Sequence, residues 1–228
     1  MLAPAIVLVV EGVGDARLLS AASGRYTLVS VESGLLALAI IVAGGTPLSW
    51  WLARDTGRRT LLVELALTVP LMIPPLVVGL VLEYLVGFYG VTNLGWSNTF
   101  AGLVTAQVYE AAPYYVFVAW SAFLTLPTAA WESALSLGWP PLKSFFKVAL
   151  PLEAPALAAG CAMAWSRAVG AFGAPLIVAY YPKGLPVGLW VVLEEYGLPA
   201  ALPLALLLVL VALPVPLMVV GWARRAGG

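Results

Sequence analysis

Runs of residues without a single charge divide this chain. Gly34 to Leu52, Leu65 to Leu82, Ala111 to Trp131 and Tyr196 to Ala223 hold no Asp, Glu, Lys or Arg, and Ala154 to Tyr181 is interrupted only by Arg167. A helix needs ~20 mostly apolar residues to cross the ~30 Å hydrocarbon layer of a bilayer. The pattern therefore predicts five full spans, near residues 31–53, 62–86, 99–126, 154–181 and 200–223. Pro70, Pro74 and Pro75 should kink or interrupt the second of them. Leu2 to Val10 is apolar but too short to span, about 14 Å as helix. It lacks the basic segment of a signal peptide and is read as the outer half of a partial amino-terminal span, with a short interfacial segment as the alternative. The expected fold class is all-α, a polytopic membrane helical bundle forming one domain over residues 1–228.

Composition agrees with lipid as part of the solvent. Of 228 residues, 62% are hydrophobic and 10% charged, with a mean hydropathy of +1.00, more apolar surface than a soluble fold of this size can bury. The absence of histidine excludes Ser-His-Asp triads, HExxH zinc sites and His-ligated haem. A single Cys161 excludes an intrachain disulfide framework and Cys-rich metal sites, and is most simply a packing residue in a span. Eleven basic residues balance 11 acidic ones, and nothing in their arrangement points to nucleic acid.

The positions of those few charges orient the spans. Arg54, Arg58, Arg59, Lys143, Lys147, Arg224 and Arg225 fall on one side, against Arg17, Arg25 and Lys183 on the other. The positive-inside rule makes the first group, and with it the carboxyl terminus, cytoplasmic. Trp50, Trp51, Tyr180, Tyr181 and Trp222 lie near expected span ends, as an interfacial aromatic belt would.

The longest inside segment, residues 127–152, carries the sharpest local signal. Thr128 can cap a short helix whose first turns hold Glu132. Gly138 suits a left-handed residue just past its end, and Pro140 or Pro141 can start a second helix. The product is a rigid helix, glycine turn and helix projecting into the cytoplasm, a form suited to passing force to a soluble partner. The competing expectation is an ordinary amphipathic connector.

This segment resembles the EAA loop of ABC importer permeases, in which Glu-Ala-Ala is followed after three residues by Gly and nine residues later by Ile-x-Leu-Pro. Glu132, Ala134, Gly138, Leu150 and Pro151 match at that spacing, with Ser133 in place of the first Ala and Val148 in place of Ile. The resemblance implies the type I ABC importer transmembrane fold and a loop that docks on an ATP-binding subunit. It also implies that this chain is no enzyme and binds no cofactor, ATP and Mg being held by the partner. Independently, the chain has no P-loop: Lys143-Ser144 is its only Lys followed by a hydroxyl residue, and Leu142 stands where the motif demands Gly.

A finer resemblance is to the molybdate/tungstate permeases, with the sulfate permeases close behind. It is carried by Gly45-Thr46-Pro47-Leu48 with Leu52-Ala53-Arg54, by Ile73-Pro74 with Val78-Gly79, and by Trp165-Ser166-Arg167 leading to Phe172-Gly173-Ala174. Ala179-Tyr180-Tyr181-Pro182 and Tyr196-Gly197-Leu198 with Ala200-Ala201 and Pro203 continue it, so that it runs from Gly45 to Pro203. It implies an ATP-driven importer of a tetrahedral oxyanion in a prokaryotic cell membrane, most simply molybdate or tungstate, with sulfate or thiosulfate as the alternative. The implied partners are two ATP-binding subunits, an extracytoplasmic oxyanion-binding protein and a second copy of the permease.

One departure concerns Arg167, the one basic residue left inside a span. Permeases of this kind commonly carry an acidic residue four positions after it, where this chain has Ala171. An intramembrane Arg costs at least ~2.5 kcal/mol at a helix centre, so it must face the bundle interior or a wet cavity. Glu110 in the preceding span, Glu64, Glu83, a backbone carbonyl or water could partner it. Arg167 and Glu110 are thus candidates for the translocation pathway, and equally for a structural pair.

Other functions are disfavoured on specific grounds. A secondary transporter often shows two pseudo-symmetric halves, and no internal repeat relates these spans. A membrane-embedded enzyme lacks both histidine and clustered carboxylates. Glu194 and Glu195 on the outer side could contact a binding protein or simply be solvated, and Pro182 to Pro199 reads as an external loop or re-entrant turn.

Overall fold

The computed structural model of the chain describes residues 21–55 and 57–226. Helices and turns account for the described residues, with no strand among them. Leu2 to Val10 and Arg17, on which the partial amino-terminal span and part of the charge balance rest, lie outside the described residues.

Helix α1 runs over Ala21–Leu52 and α4 over Phe100–Thr125, and these two long helices form the frame. Small and hydroxyl residues let them approach closely, as happens where lipid supplies no hydrophobic drive between helices. Gly45 of α1 lies against the ring of Tyr115, where an added Cβ would come within 2.8 Å. The neighbouring Thr46 hydroxyl pairs with the Tyr115 hydroxyl at 2.6 Å, and Ser49 Oγ donates to the Val116 carbonyl at 3.1 Å. At its amino end α4 is capped by Thr99, whose side chain accepts from the Gly102 amide. Half of α4 is buried in this single chain, which makes it the centre of the bundle.

That position explains why the third expected span differs from the others. Ser23–Leu52, Ala154–Val178 and Leu198–Trp222 are long and apolar enough to cross a membrane, whereas α4 is long enough but less apolar. Its neighbours are protein on most sides, so Gln107, Glu110 and Tyr115 are tolerated there. By contrast, the Leu198–Trp222 stretch is only 6% buried and presents its leucines outward.

The proline-rich span is interrupted rather than kinked. Helices α2 (Arg58–Met72) and α3 (Pro75–Val86) meet at 118°. Ile73 and Pro74 each precede a proline, which forces both into extended backbone, and Pro75 restarts the helix at its first position. Counted together, α2 and α3 make a fourth candidate span.

Two further breaks depart from the sequence expectation. The span placed at 154–181 is α8 (Ala154–Val169) and α9 (Gly173–Val178), separated at Gly170 to Phe172. The segment expected to be an external loop or re-entrant turn, 182–199, holds the 12-residue helix α10 (Leu185–Tyr196), with Pro186 near its amino end and Gly197 closing it at φ +80°. Pro and Gly there mark the two ends of a helix, whose first turn, Leu185 to Gly188, is buried. The last span is α11 (Leu198–Ala212) and α12 (Pro214–Ala226), parted at Pro214.

Between α4 and α8 lies the inside segment. It consists of α5 (Thr128–Ser136), a turn at Gly138, and α6 (Pro141–Ser144), which runs through a π turn at Phe145–Ala149 into α7 (Leu150–Leu152).

Candidate functional site: a projecting loop and a buried ion pair

The Gly138 turn has the geometry its position in the sequence demands. Gly138 sits at φ +78°, its amide donates to the Leu135 carbonyl at 2.9 Å, and the Trp139 amide donates to Ala134 at 3.2 Å. These are the two hydrogen bonds of a Schellman ending, which satisfies carbonyls that the last turn of α5 would leave open. A Cβ at Gly138 would meet nothing within 4 Å, so backbone conformation alone, not crowding, selects glycine. Pro141 starts α6, as one of the two prolines was expected to. The start of α5 differs from expectation: Pro127 takes the cap position and Thr128 is the first helical residue. A proline has already fixed the backbone there, and its missing N–H belongs to a turn whose donors have no helical partner.

The residues of the 127–152 segment divide by face. Glu132 and Ser133 are exposed, Ser133 donating its hydroxyl back to the Ala129 carbonyl at 2.7 Å. Ala134 is buried, where a larger side chain would push α5 off its seat. Leu150 packs against the main core and Pro151 is exposed. Leu137, exposed at 76%, forms an apolar tip at the turn, while Leu142 and Phe146, exposed at 70% and 55%, face a groove beside it. These apolar groups are left uncovered by the rest of the chain.

An aromatic cluster that the sequence reading did not anticipate joins this segment to α1. Trp50 packs edge-on against Trp131, Phe145 and Phe123 at centroid distances of 4.9, 4.7 and 5.2 Å. The Arg54 guanidinium lies 3.1 Å over Trp50 and 4.8 Å from Trp131. Trp50 is therefore a structural joint and not only a belt residue. The available signal was the Trp50 and Arg54 spacing of four at the end of a helix, which stacks them on one face.

Within the bundle, Arg167 Nη2 of α8 lies 2.8 Å from Glu110 Oε2 of α4. The structure thus selects Glu110 among the partners that the sequence allowed. The other carboxylate oxygen, Oε1, accepts from the Ala174 amide at 3.2 Å, in the first turn of α9. Glu110 is buried to 3% side-chain exposure, whereas Arg167 keeps 34%, opening toward Tyr114, Met163, Ser166 and Pro216. One carboxylate therefore ties together α4, α8 and the helix after the break. Ala171, the position without an acid, is itself buried at 3%. Glu83 is engaged elsewhere, accepting from Ser97.

No group of three or more potential metal ligands occurs among the described residues.

Comparison with known proteins places these features in context. Residues 45–226 match the family described as binding-protein-dependent transport system inner membrane component. A protein of Haloferax volcanii named "Probable molybdenum ABC transporter permease protein" is 38% identical over 193 residues, covering 83% of this chain and 72% of the relative. The molybdate/tungstate transport system permease protein of Pyrococcus abyssi is 36% identical over 169 residues, 74% of this chain and 66% of the relative. The molybdenum transport system permease protein of Azotobacter vinelandii is 31% identical, covering 66% and 70%. Among solved structures, a bacterial ABC transporter involved in the import of the acidic polysaccharide alginate superposes with a TM-score of 0.70 at 16% identity, over 91% of this chain and 80% of that one. At that identity the likeness is one of fold.

Proposed function

The chain belongs to the family of binding-protein-dependent transport system inner membrane components, the permeases of ABC transporters, and on that premise we propose that it carries a tetrahedral oxyanion, molybdate or tungstate, through the membrane. The observation that carries this reading is the 127–152 segment, where a Schellman turn at Gly138 presents Glu132 and an apolar tip on the arginine- and lysine-rich side. Relatives named for molybdenum, molybdate and tungstate transport support the substrate class.

In this proposal two copies of the chain enclose the path and two ATP-binding subunits sit on the cytoplasmic side, where the carboxyl terminus also lies. Glu132, Ser133, Ala134, Gly138, Leu150 and Pro151 form the coupling element, ATP and Mg being held by the partner subunits. An extracytoplasmic binding protein delivers the anion to the outer face. ATP binding draws the two projecting segments together. The Trp50 joint transmits that movement to α1 and α4, and the 118° break between α2 and α3 gives the bundle a place to bend. Hydrolysis resets it.

Arg167 and Glu110 line the path in this reading. The Arg167 side chain is 34% exposed and offers donors to an oxyanion, while Glu110 holds it in place and offsets its charge. A passing dianion then meets a cation that cannot trap it.

The test is uptake of radiolabelled molybdate into proteoliposomes holding the chain, its ATP-binding subunit and the cognate binding protein. Uptake should require all three and ATP, and excess tungstate should compete. Uptake that persists without the ATP-binding subunit would replace the proposal with a secondary transporter, and failure of every tetrahedral oxyanion to be carried would overturn the substrate class.

A further inference from the structure

The rings of the aromatic joint also line an apolar groove. The groove, of about 980 Å³, opens between α1, α4, α8 and the α5 to α7 segment. That is near the upper end of the roughly 300–1,000 Å³ usual for small-molecule pockets. Its walls are apolar side chains such as Val42, Leu142, Phe146 and Leu157. The two hydroxyls on its floor, Thr46 and Tyr115, satisfy one another at 2.6 Å and ask nothing of a ligand. From Val42 to the end of α1 at Leu52 the groove follows about 15 Å of helix, the depth of one leaflet of a bilayer.

Charge then distinguishes the two ends. Among the described residues Arg54 is the only charged one lining the groove, and no acidic side chain lines it. Among the described residues Arg54 has no carboxylate partner, the one ion pair being Arg167 with Glu110. The nearest carboxylate in sequence, Asp55, accepts from the Gly57 amide. The Arg54 guanidinium lies over the Trp50 ring, is exposed, and makes no hydrogen bond among the described residues, so its donors can take phosphate oxygens.

We propose that this groove is a site for an anionic phospholipid, its acyl chain along Val42 to Phe146 and its phosphate on Arg54. The ligand spans α1 and the projecting segment, so its occupancy stiffens the joint between them. A zwitterionic lipid offers the same chain but no net charge, and discrimination between the two rests on Arg54.

The test uses the full-length chain in nanodiscs of equimolar phosphatidylglycerol and phosphatidylcholine. A photo-crosslinker is placed in the groove as Phe146→p-benzoylphenylalanine, or on the outward face of α11 as Leu210→p-benzoylphenylalanine, and adducts are read by mass spectrometry. At position 146 phosphatidylglycerol should be enriched about fivefold over the ratio at 210, the effect of one cation near an anionic headgroup. Arg54→Gln should abolish the enrichment, and Arg58→Gln, outside the groove, should leave it. Equal ratios at the two positions in the chain with Arg54 intact would overturn the proposal without recourse to any Arg54 variant. So would adducts at 146 formed only with a second copy of the chain or another of its own segments.

Discussion

Two regions of this permease hold their geometry by opposite means. The junction of α4, α8 and α9 is fixed by charge: one buried carboxylate takes a guanidinium from one helix and a backbone amide from another. The projecting segment is fixed by shape: a left-handed glycine, two carbonyl-satisfying hydrogen bonds and a stack of aromatic rings, with its charges left in solvent. The difference follows from the surroundings. In a dry bundle an ionic contact is strong and its loss costly, so it serves where the structure must hold. At the wet end charge is screened and weak, and a turn plus ring packing defines an orientation better. The first region is suited to holding its helices together as one body, the second to passing on a movement.

Substitutions can break this contrast, beginning with the largest effect. Glu110→Ala should cost about 3 kcal/mol, the low end for breaking a buried pair because Arg167 keeps a third of its surface. Thermal unfolding of the purified chain would measure it, and the double variant Glu110→Leu with Arg167→Met should recover part of the loss, since it leaves no unpaired charge. Trp50→Ala should cost about 2 kcal/mol, below a fully buried aromatic truncation because Trp50 is half-buried, and should free the projecting segment. Hydrogen exchange over residues 128–150 would rise while α4 stayed protected. Gly138→Leu should cost only about 1–2 kcal/mol of backbone strain, since no neighbour is crowded, yet abolish coupled transport. Gly138→Asn, which tolerates the left-handed region, should retain most of it. Smallest in stability is Glu132→Gln, expected within ~0.5 kcal/mol of the parent as an exposed change, with its effect confined to ATPase coupling.

The contrast also decides what could be read from the sequence. Gly138 was legible because a single local conformation requires it, and the spacing from Glu132 to Pro151 carried the rest. The Arg167 and Glu110 pair was only half legible. Cost considerations told that Arg167 needed a partner, but which carboxylate reaches it depends on how α4 and α8 pack, and the Ala174 amide on the same carboxylate depends on a break in the chain. Helix α10 is hard to read in the sequence because a Pro- and Gly-rich stretch suggests a loop, whereas Pro186 and Gly197 stand at the ends of a helix. The Trp50 joint was missed for a related reason. An aromatic residue near a span end is ordinary, and only the fold brings Trp131 and Phe145 to it from the next segment.

The central claim is that the 127–152 segment converts ATP binding into movement of this bundle. The most direct measurement is the stimulation of ATPase activity by loaded binding protein in the reconstituted complex, parent against Gly138→Leu, with assembly checked by co-purification of the ATP-binding subunit. Strong stimulation in the parent and its loss in an assembled Gly138→Leu complex is the predicted result. Equal stimulation in both would contradict it.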